Sequence, residues 1–329
     1  MHPTDHLPTD PSVLSVLVME PALKVKPWGG RRLQAELDKC LPADDLPYGE
    51  SWEVADLAQG QSRVACGAWR GRPLREVVQA WGDRLCGAHG AFPLLVKFLD
   101  AREDLSVQVH PGPLHSDPAA GVASKDESWL ILSDGGCVYH GFVDDDMTPS
   151  RFARALTEGQ CMALLRRHDV AAGDVIRVPP GTVHAIGAGV LLLEIQQPSD
   201  TTYRLWDHER VGLDGKPRAL HIQQGVEVTT FGPQPALTLT PTRADTQPGV
   251  ARDVLVDVPA YRIERWSLEG QGVAVAPSPR AQVVVCLEGS VRVSWEQWGV
   301  TLSKGHSAIL PAALGGVTFE GTGVCVTAV

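Results

Sequence analysis

The pattern of hydrophobic and polar positions predicts a chain made mostly of short strands. Val13–Leu23 is apolar and β-branched, and Phe92–Asp100 is a nearly continuous apolar run of the kind found in buried strands. From Leu255 to Val329, short apolar runs recur between turns at Glu288-Gly289 and Gly315-Gly316. This regular spacing is typical of an all-β sandwich or barrel.

Two segments have helical periodicity instead. In Pro73–Cys86 the apolar side chains recur at helical spacing after a proline, which predicts an amphipathic helix. Thr148 is a suitable N-cap for a helical insertion near residues 148–168, and Gly159 should break that insertion into two helices. Further on, Pro233–Val250 is rich in Thr, Pro and Gln and is expected to be a linker or an exposed crossover.

A weak internal repeat indicates a doubled architecture. Gly173–His184 aligns without gaps with Gly305–Gly316, and the first glycine and one proline of each segment match. On this alignment His184 falls opposite Gly316. We therefore expect two related β units, of which the second lacks the histidine.

Composition and charge exclude some classes of function. The 329 residues carry a formal net charge of −10, which argues against a general nucleic-acid binder but leaves room for a local basic pocket. No apolar run approaches the roughly 18 residues of a membrane span, and the first residues lack the pattern of a signal peptide. The seven cysteines are dispersed and form no CxxC pair, as expected for reduced thiols. We therefore expect a cytoplasmic protein without membrane or nucleic-acid partners; its oligomeric state is not readable from the sequence.

One predicted strand carries three polar side chains on a single face. In Leu105–Pro111 the valines alternate with Ser106, Gln108 and His110. Such a face is unusual in a core strand and indicates a polar cavity. Lys97 interrupts the preceding apolar run, and a buried ammonium there must have a partner or line such a cavity. A half-buried edge position is an equally weighted alternative for this lysine.

The segment nearer the N-terminus leaves two interpretations open. Trp28 lies among proline and glycines, where it is either exposed on a turn or placed over a cavity. Glu50 and Glu53 lie close together in Gly49–Asp56. Their spacing alone favours a solvated strand edge.

Four donors could form a metal site: Gln108, His110, Glu127 and His184. Each lies on a predicted strand or at its end. Two imidazoles and a carboxylate suit a zinc-class divalent ion. The Gln-x-His pair is a weak signal, and a lone histidine on a strand is more often structural, so the residue types alone leave both interpretations open.

A polar tail follows His184 and contains Glu194, Asp200 and Arg204. Glu194 could simply pair with Arg204 or Arg210. Asp200 could be an Asx-turn or helix-cap residue after Pro198-Ser199. The residues alone favour these structural roles for the two acids.

Five motifs together resemble those of a known family. They are KPWGG (26–30), GESWEVAD (49–56), SVQVHP (106–111), KDESW (125–129) and PPGTVHAIGAGVLLLEIQQPSDTTYRLWD (179–207). In this order they closely resemble the type I phosphomannose isomerases, and most closely the short bacterial form, from about Leu23 to Ile222. Members of that family are zinc-dependent cupins that interconvert mannose 6-phosphate and fructose 6-phosphate.

The resemblance implies a fold and a division into domains. The expected fold is mainly β, with two cupin (jelly-roll) β-barrels and a small helical insertion. The catalytic, metal-binding cupin domain should occupy residues 1–240. A degenerate C-terminal cupin domain should occupy residues 250–329.

The resemblance also implies roles for individual residues. Arg204 matches the family's catalytic arginine, and Glu194 and Lys125 are two candidates for the base. One divalent ion, expected to be Zn²⁺, should be bound by Gln108, His110, Glu127 and His184. The residues expected to contact the sugar phosphate are Lys97, Ser106, Asp200 and Trp28.

Two departures from the family pattern leave the substrate preference open. The segment between His110 and Lys125 is rich in Gly, Pro and Ala. In addition, residues 124–127 are Ser-Lys-Asp-Glu where the family has Gly-Lys-Thr-Glu. Metal ligation should survive both changes, but this loop could border the substrate pocket.

The residue types suit aldose–ketose isomerisation of a sugar phosphate. That reaction moves a proton between C1 and C2 through a cis-enediol, so negative charge develops on O1 or O2. A divalent metal and the Arg204 guanidinium would stabilise that charge. The alternatives are a non-catalytic sugar-phosphate-binding bicupin and an isomerase of an unphosphorylated aldose. The bicupin is disfavoured because every expected ligand and Arg204 are present.

Overall fold

The structure, a computed structural model, describes residues 5–88, 90–234 and 236–329. It confirms a mainly β protein. The strands are β1 (Leu17–Glu20), β2 (Ala22–Gly30), β3 (Tyr48–Val54), β4 (Asp56–Leu57), β5 (Gly60–Gln61), β6 (Arg63–Val64), β7 (Leu95–Asp100), β8 (Val107–Val109), β9 (Glu127–Ile131), β10 (Cys137–Phe142), β11 (Leu165–Asp169), β12 (Val175–Val178), β13 (His184–Ile186), β14 (Leu191–Gln196), β15 (Tyr203–Trp206), β16 (Thr238–Leu239), β17 (Thr242–Gln247), β18 (Val250–Val258), β19 (Tyr261–Glu269), β20 (Val273–Val275), β21 (Gln282–Trp295), β22 (Trp298–Ser303), β23 (Ser307–Leu310) and β24 (Val317–Ala328).

Helices are short by comparison with the sheets. They are α1 (Arg32–Leu37), α2 (Leu74–Trp81), α3 (Asp83–Cys86), α4 (Pro149–Thr157) and α5 (Ile222–Val228), with 3₁₀ turns at Pro113–His115, Pro118–Ala120 and Cys161–Leu164. Among the described residues, none of these helices is long and apolar enough to cross a membrane.

Two sheets face each other, and the strands that carry Gln108, Glu127 and His184 lie in them. A seven-stranded sheet has the order β16-β12-β9-β14-β7-β3-β2, and a five-stranded sheet has the order β11-β10-β13-β8-β15. Trp129 and Ile176 of the first sheet share a buried cluster with Val138 and Ile186 of the second. Because β8, β9 and β13 lie on these facing layers, the polar groups they carry are brought into the space between them.

A third sheet contains the C-terminal strands. It has ten strands, with the main order β17-β18-β19-β24-β21-β23-β1-β6, and β20 and β22 pair with β24 and β21. The N-terminal strands β1 and β6 thus lie beside strands from the far end of the chain. The largest core cluster joins this sheet to the seven-stranded sheet, with Ile263 and Val285 on one side and Phe98 and Leu193 on the other.

The helical insertion is shorter than predicted. The Thr148 hydroxyl accepts a hydrogen bond from the Arg151 amide at 3.3 Å, so Thr148 is the N-cap of α4 as expected. The prediction of a second helix up to residue 168 is wrong, because a short 3₁₀ turn leads into β11. This strand pairs with β10, and sheet pairing overrides the local helical pattern.

Two other sequence predictions need correction. Residues 233–250 are not simply a linker, because β16 pairs with β12 and β17 is an exposed edge strand paired with β18. The helix predicted over Pro73–Cys86 is divided at Gly82 into α2 and α3. The apolar positions of α2 are nevertheless buried as the pattern indicated.

Candidate metal centre and polar cavity

Neighbouring strands bring three possible metal ligands together. Glu127 is the first residue of β9, His184 is the first residue of β13, and His110 follows β8 directly. The relative exposure of His110 is 1%, and that of Glu127 and His184 is 0%. One ligand atom from each of the three lies within 4.8 Å of the others. The turn before His184 is fixed to this group, because the Gly181 amide donates to the His110 carbonyl at 2.9 Å.

Hydrogen bonds to the backbone set the tautomer of both histidines. His110 Nδ1 lies 2.9 Å from the Thr201 carbonyl oxygen, and His184 Nδ1 lies 2.9 Å from the Thr182 carbonyl oxygen. A carbonyl can only accept, so each Nδ1 carries the hydrogen and each Nε2 keeps its lone pair. The Nε2 atoms lie 3.4 and 3.3 Å from the two Glu127 oxygens. This arrangement is how proteins orient histidines that bind metals.

Electrostatics hold the histidines neutral and the glutamate charged. Burial lowers the pKa of His184 to about 3, and burial followed by the nearby Lys125 also lowers the pKa of His110. Burial opposes ionisation of Glu127, but Lys125 and then His110 hold its pKa well below the usual range. Lys125 Nζ lies 2.6 Å from Glu127 Oε2.

Glu127 is not satisfied by hydrogen bonds. Among the described residues, neither of its carboxylate oxygens has a hydrogen bond of acceptable geometry. Oε2 meets the Lys125 ammonium, but in the described part of the chain Oε1 has neither a hydrogen bond nor a lysine or arginine partner. A buried carboxylate of this kind, beside two nitrogen lone pairs, fits a metal cation. Nitrogen and oxygen donors of this kind suit zinc and other first-row divalent ions.

Gln108 lies beside these three residues, as predicted. Its Nε2 is 3.1 Å from His184 Nε2. A half-turn of the side-chain amide would exchange its nitrogen and oxygen, which are sterically equivalent. Gln108 is therefore placed to offer its oxygen as a fourth donor.

A polar cavity of about 190 Å³ lies next to the cluster. The seven residues predicted to catalyse or bind substrate all line it: Arg204, Glu194, Lys125, Lys97, Ser106, Asp200 and Trp28. Gln108 also reaches the cavity and connects it with the histidine cluster. The structure thus brings together residues that are far apart in the chain.

Lys97 forms a buried ion pair in the wall of the cavity. Its Nζ lies 3.0 Å from Glu194 Oε1, and Trp129 Nε1 donates to Glu194 Oε2 at 3.2 Å. Burial alone would lower the pKa of Lys97, but Glu194 and then Glu50 raise it above its usual value. Of the two interpretations of this lysine, the structure thus favours a cavity-lining cation.

Arg204 presents a charge that its neighbours satisfy only in part. Its Nη1 donates to the Ala219 carbonyl at 3.0 Å, and its buried Nε has no hydrogen-bond partner among the described residues. Burial and the nearby Arg218 lower the pKa of the guanidinium, but an arginine in a protein still carries its proton. Arg204 therefore remains available to an anion in the cavity.

Three charged residues of this cavity are not among those predicted from the sequence: Lys26, Glu50 and Arg218. The prediction of a solvated edge for Glu50 and Glu53 is wrong, because β3 is an inner strand between β2 and β7. Glu50 is bound by Lys26 at 3.1 Å and by Trp52 Nε1 at 2.7 Å. Burial opposes its ionisation, but Lys26 and Lys97 lower its pKa to about 2.

Glu53 and Arg218 show why the sequence pattern is a weak guide to which charged residues reach the cavity. Glu53 pairs with Lys39 at 2.7 Å in the core and lies away from the cavity. Two acids of one motif thus have separate partners, which spacing alone does not reveal. Arg218 is held by Asp207 and lies in a turn-rich segment without any periodic pattern. Neither a motif nor a periodic pattern in the sequence identifies it as a cavity residue.

Comparisons with known proteins identify the class and then the family. Residues 254–329 match the family description "Mannose-6-phosphate isomerase, cupin domain", and residues 16–127 match "Phosphomannose isomerase type I, catalytic domain". The protein is therefore a mainly β protein with a cupin domain in its C-terminal part. A mannose-6-phosphate isomerase of Streptococcus mutans is 35% identical over 93% of this chain and 95% of its own length. The chain belongs to the type I phosphomannose isomerase family.

Further relatives agree with this assignment. The mannose-6-phosphate isomerase ManA of Bacillus subtilis is 34% identical over 94% of this chain and 97% of its own length. A crystal structure of mannose 6-phosphate isomerase from Bacillus subtilis superposes with a TM-score of 0.86 at 28% identity, over 96% of this chain and all of that one. A zinc-bound mannose 6-phosphate isomerase structure at 19% identity has a TM-score of 0.78 over 96% of this chain and 99% of its own, which shows the shared fold.

Proposed function

We propose that this chain is a zinc-dependent mannose-6-phosphate isomerase. The observation that carries the proposal is the buried group of His110, Glu127 and His184 at one side of a polar cavity. It occurs in a chain of the type I phosphomannose isomerase family. The cavity combines cationic and anionic side chains, as a site for a phosphorylated sugar requires.

The proposed metal ligands are Gln108, His110, Glu127 and His184. Both imidazoles are held neutral with the hydrogen on Nδ1, and Glu127 is ionised, which are the protonation states that metal ligands need. Bound zinc would act as a Lewis acid for the oxygen atoms on which negative charge develops. The choice of zinc rests on the nitrogen and oxygen donors and on the zinc-bound relative of the same fold.

The remaining chemistry falls to side chains of the cavity. Arg204 would stabilise the negative charge that develops on O1 or O2, because its guanidinium is fixed and incompletely satisfied. Glu194 and Lys125, which both line the cavity, are the two proposed candidates for the group that moves a proton between C1 and C2. Glu194 is fixed by Lys97 and Trp129, while Lys125 lies beside Glu127.

Separate parts of the cavity would bind the phosphate and the sugar. Lys97 and Ser106 are proposed as donors to the phosphate, since charge-assisted hydrogen bonds are the strong ones. Trp28 and Asp200 would border the sugar, where an apolar face and a carboxylate suit a ring that carries hydroxyl groups.

The domain organisation is part of the same proposal. We infer a catalytic cupin unit in residues 1–240 with the helical insertion, and a degenerate cupin unit in residues 250–329. The match of residues 254–329 to a cupin domain supports the second unit. The matching positions of β12 and β23 in the internal repeat support a common origin of the two.

A coupled assay tests the function. Purified protein is given mannose 6-phosphate or free mannose, with the ketose product detected by a second enzyme, before and after dialysis against a chelator. We expect turnover of mannose 6-phosphate that is lost on chelation and restored by Zn²⁺. Wild-type protein that retains full activity after its metal has been removed would contradict the metal assignment.

The other outcomes separate the alternatives. Comparable turnover of free mannose would indicate an isomerase of unphosphorylated aldoses. Binding of mannose 6-phosphate without turnover, in protein with a full complement of zinc, would indicate a binding bicupin. A pair of variants, Glu194→Gln and Lys125→Met, then decides between the two candidates for the base, because only loss of the proton carrier should abolish exchange of the substrate C2 proton with solvent.

A further inference from the structure

Asp126 lies between the two site residues Lys125 and Glu127 and points away from them. Successive side chains of an extended chain point to opposite faces, so Asp126 and Ser128 share the face opposite to Glu127. The Asp126 carboxylate is held on that face by two donors. Tyr261 donates its hydroxyl at 2.8 Å, and Arg177 Nη2 lies 2.7 Å away.

Tyr261 comes from the C-terminal part of the chain. It is the first residue of β19, its relative exposure is 1%, and its ring belongs to the core that joins the ten-stranded and seven-stranded sheets. Its hydroxyl also lies 3.0 Å from Ser128 Oγ. Because an ionised carboxylate only accepts, Tyr261 donates to Asp126 and Ser128 donates to Tyr261. One hydroxyl therefore binds both neighbours of Glu127.

The backbone of Asp126 is fixed at the same place. Its amide donates to the side-chain oxygen of Gln197 at 3.0 Å, and the Gln197 amide donates to the Asp126 carbonyl at 3.1 Å. Gln197 follows β14, the strand that carries Glu194. Asp126 thus lies at the point where the chain enters β9. It therefore separates Lys125, which lines the cavity, from Glu127 of the histidine cluster.

We propose that Tyr261 is a positioning residue of the metal centre, which acts through Asp126 to hold Glu127 and Lys125 in place. The inference rests on the proposed function. It gives the C-terminal unit an indirect part in the site, since β19 supplies the hydroxyl that binds Asp126. Groups that orient metal ligands from outside commonly contribute a factor of about 10 to 100 in metal affinity or activity.

The test is Tyr261→Phe, which keeps the buried ring and removes only the hydroxyl. We expect the affinity of the metal-free protein for Zn²⁺, measured by competition with a chromogenic chelator, to fall about tenfold. The kcat for mannose 6-phosphate should fall by a similar factor, with KM changed less than about twofold, because the substrate contacts are intact.

Tyr48→Phe is the matched control. Tyr48 is also buried in the same core, and its hydroxyl donates to Asp44 at 3.0 Å. It lies on β3 and does not line the cavity. This variant also loses a hydroxyl–carboxylate hydrogen bond, and its zinc affinity and kcat should equal those of the wild type.

A double mutant tests the route through Asp126. If Tyr261 acts through that carboxylate, adding Tyr261→Phe to Asp126→Ala should weaken zinc binding no further. Additive losses, or a Tyr261→Phe variant that melts earlier while keeping its zinc affinity and kcat, would overturn the inference. In those cases the isomerase proposal stands. Wild-type protein that binds no zinc would overturn both proposals together.

Discussion

The two copies of the internal repeat share a local frame and differ in what surrounds it. In the ungapped alignment of Gly173–His184 with Gly305–Gly316, strand β12 corresponds residue for residue to strand β23. The glycine before each strand has a positive φ, 94° at Gly173 and 78° at Gly305. The same turn thus leads into the same strand in both copies.

The surroundings of the two strands explain why only one copy carries a site. β12 pairs with β9, which begins with Glu127, and is followed by His184. β23 pairs with β21, in a region whose core is apolar and includes Val284, Cys286, Val293, Trp266 and Phe319. The glycine turn and the strand that follows it are thus common to both copies, and they do not by themselves make a metal site. A metal centre additionally needs donors on the neighbouring strands.

The largest effect should come from removing the histidine that distinguishes the copies. His184→Ala takes away a fully buried ligand and leaves Glu127 with one imidazole instead of two. We expect zinc to be lost from the purified protein and kcat/KM for mannose 6-phosphate to fall at least about a thousandfold, since metal stabilisation of developing charge is worth several kcal/mol. Metal content is measured by elemental analysis of the same sample.

The converse substitution sharpens this test. In Gly316→His the new Cβ would lie 3.5 Å from the Val275 carbonyl oxygen, an ordinary contact, so the side chain can be accommodated. Gly316 is exposed, and among the described residues the atoms nearest to that Cβ are the Val275 carbonyl oxygen and Pro277 Cδ, so it meets no carboxylate or imidazole like those of Glu127 and His110. We expect one zinc per chain, as in the wild type. A second zinc in this variant would show that the histidine alone makes the difference.

A smaller effect is expected for Arg204→Ala, which tests chemistry separately from metal binding. The Arg204 guanidinium lines the cavity, and its hydrogen bonds go to the Ala219 carbonyl rather than to the histidine cluster. Removing a donor that stabilises developing negative charge typically costs about a hundredfold or more in kcat. We expect such a loss with unchanged zinc content. A variant with near-normal kcat would remove Arg204 from the mechanism.

Much of this site could be predicted because its residues fall on strands with readable alternation. Ser106, Gln108 and His110 share a face in the sequence pattern, and the structure places Ser106 and Gln108 on the cavity and His110 beside them. The resemblance to the family motifs then implied which of these residues bind metal, catalyse or contact the substrate, which periodicity alone does not indicate. Seven predicted catalytic and substrate-binding residues indeed line one cavity.

The rest depends on sheet order, which the sequence pattern does not contain. Glu50 looked like an edge residue because nothing in its motif shows that β3 is flanked on both sides. Tyr261 is an ordinary strand residue by its pattern, and its contact with Asp126 spans two sheets. The stretch at 165–168 continued a helical pattern, but pairing with β10 made it a strand. Each miss is a long-range contact that overrides a local signal.

A pH-dependent prediction extends the comparison to a histidine outside the metal cluster. His140 of β10 is 2% exposed, and its Nε2 lies 3.1 Å from the Arg177 carbonyl oxygen. Burial lowers its pKa from 6.5 to about 4. In the window between these values the unfolded chain binds more protons, so stability rises with pH. The contribution is complete above pH 6.5 and is lost as the pH falls through 4.

His140→Gln measures this contribution, because glutamine can still donate to the carbonyl but does not titrate. Between pH 7 and pH 4, the unfolding free energy of the wild type should fall by roughly 3 kcal/mol more than that of the variant. Urea unfolding at a series of pH values gives both curves. His115→Gln, at an exposed loop position, is the control and should follow the wild type. Parallel curves for wild type and His140→Gln would contradict the prediction.

The smallest expected effect is on the unfolding free energy, and it tests the turn that the two copies share. The substitutions are at the glycine before each strand. Gly173→Ala places a methyl group where nothing lies within 4 Å, so its cost is the positive φ alone, about 1 to 2 kcal/mol. Gly305→Ala adds a collision, because the new Cβ would lie 2.0 Å from the Leu37 carbonyl oxygen. We expect it to cost about 1 to 3 kcal/mol more in unfolding free energy. Equal losses would mean that α1 yields freely, and that Gly305 is kept, like Gly173, only for its turn.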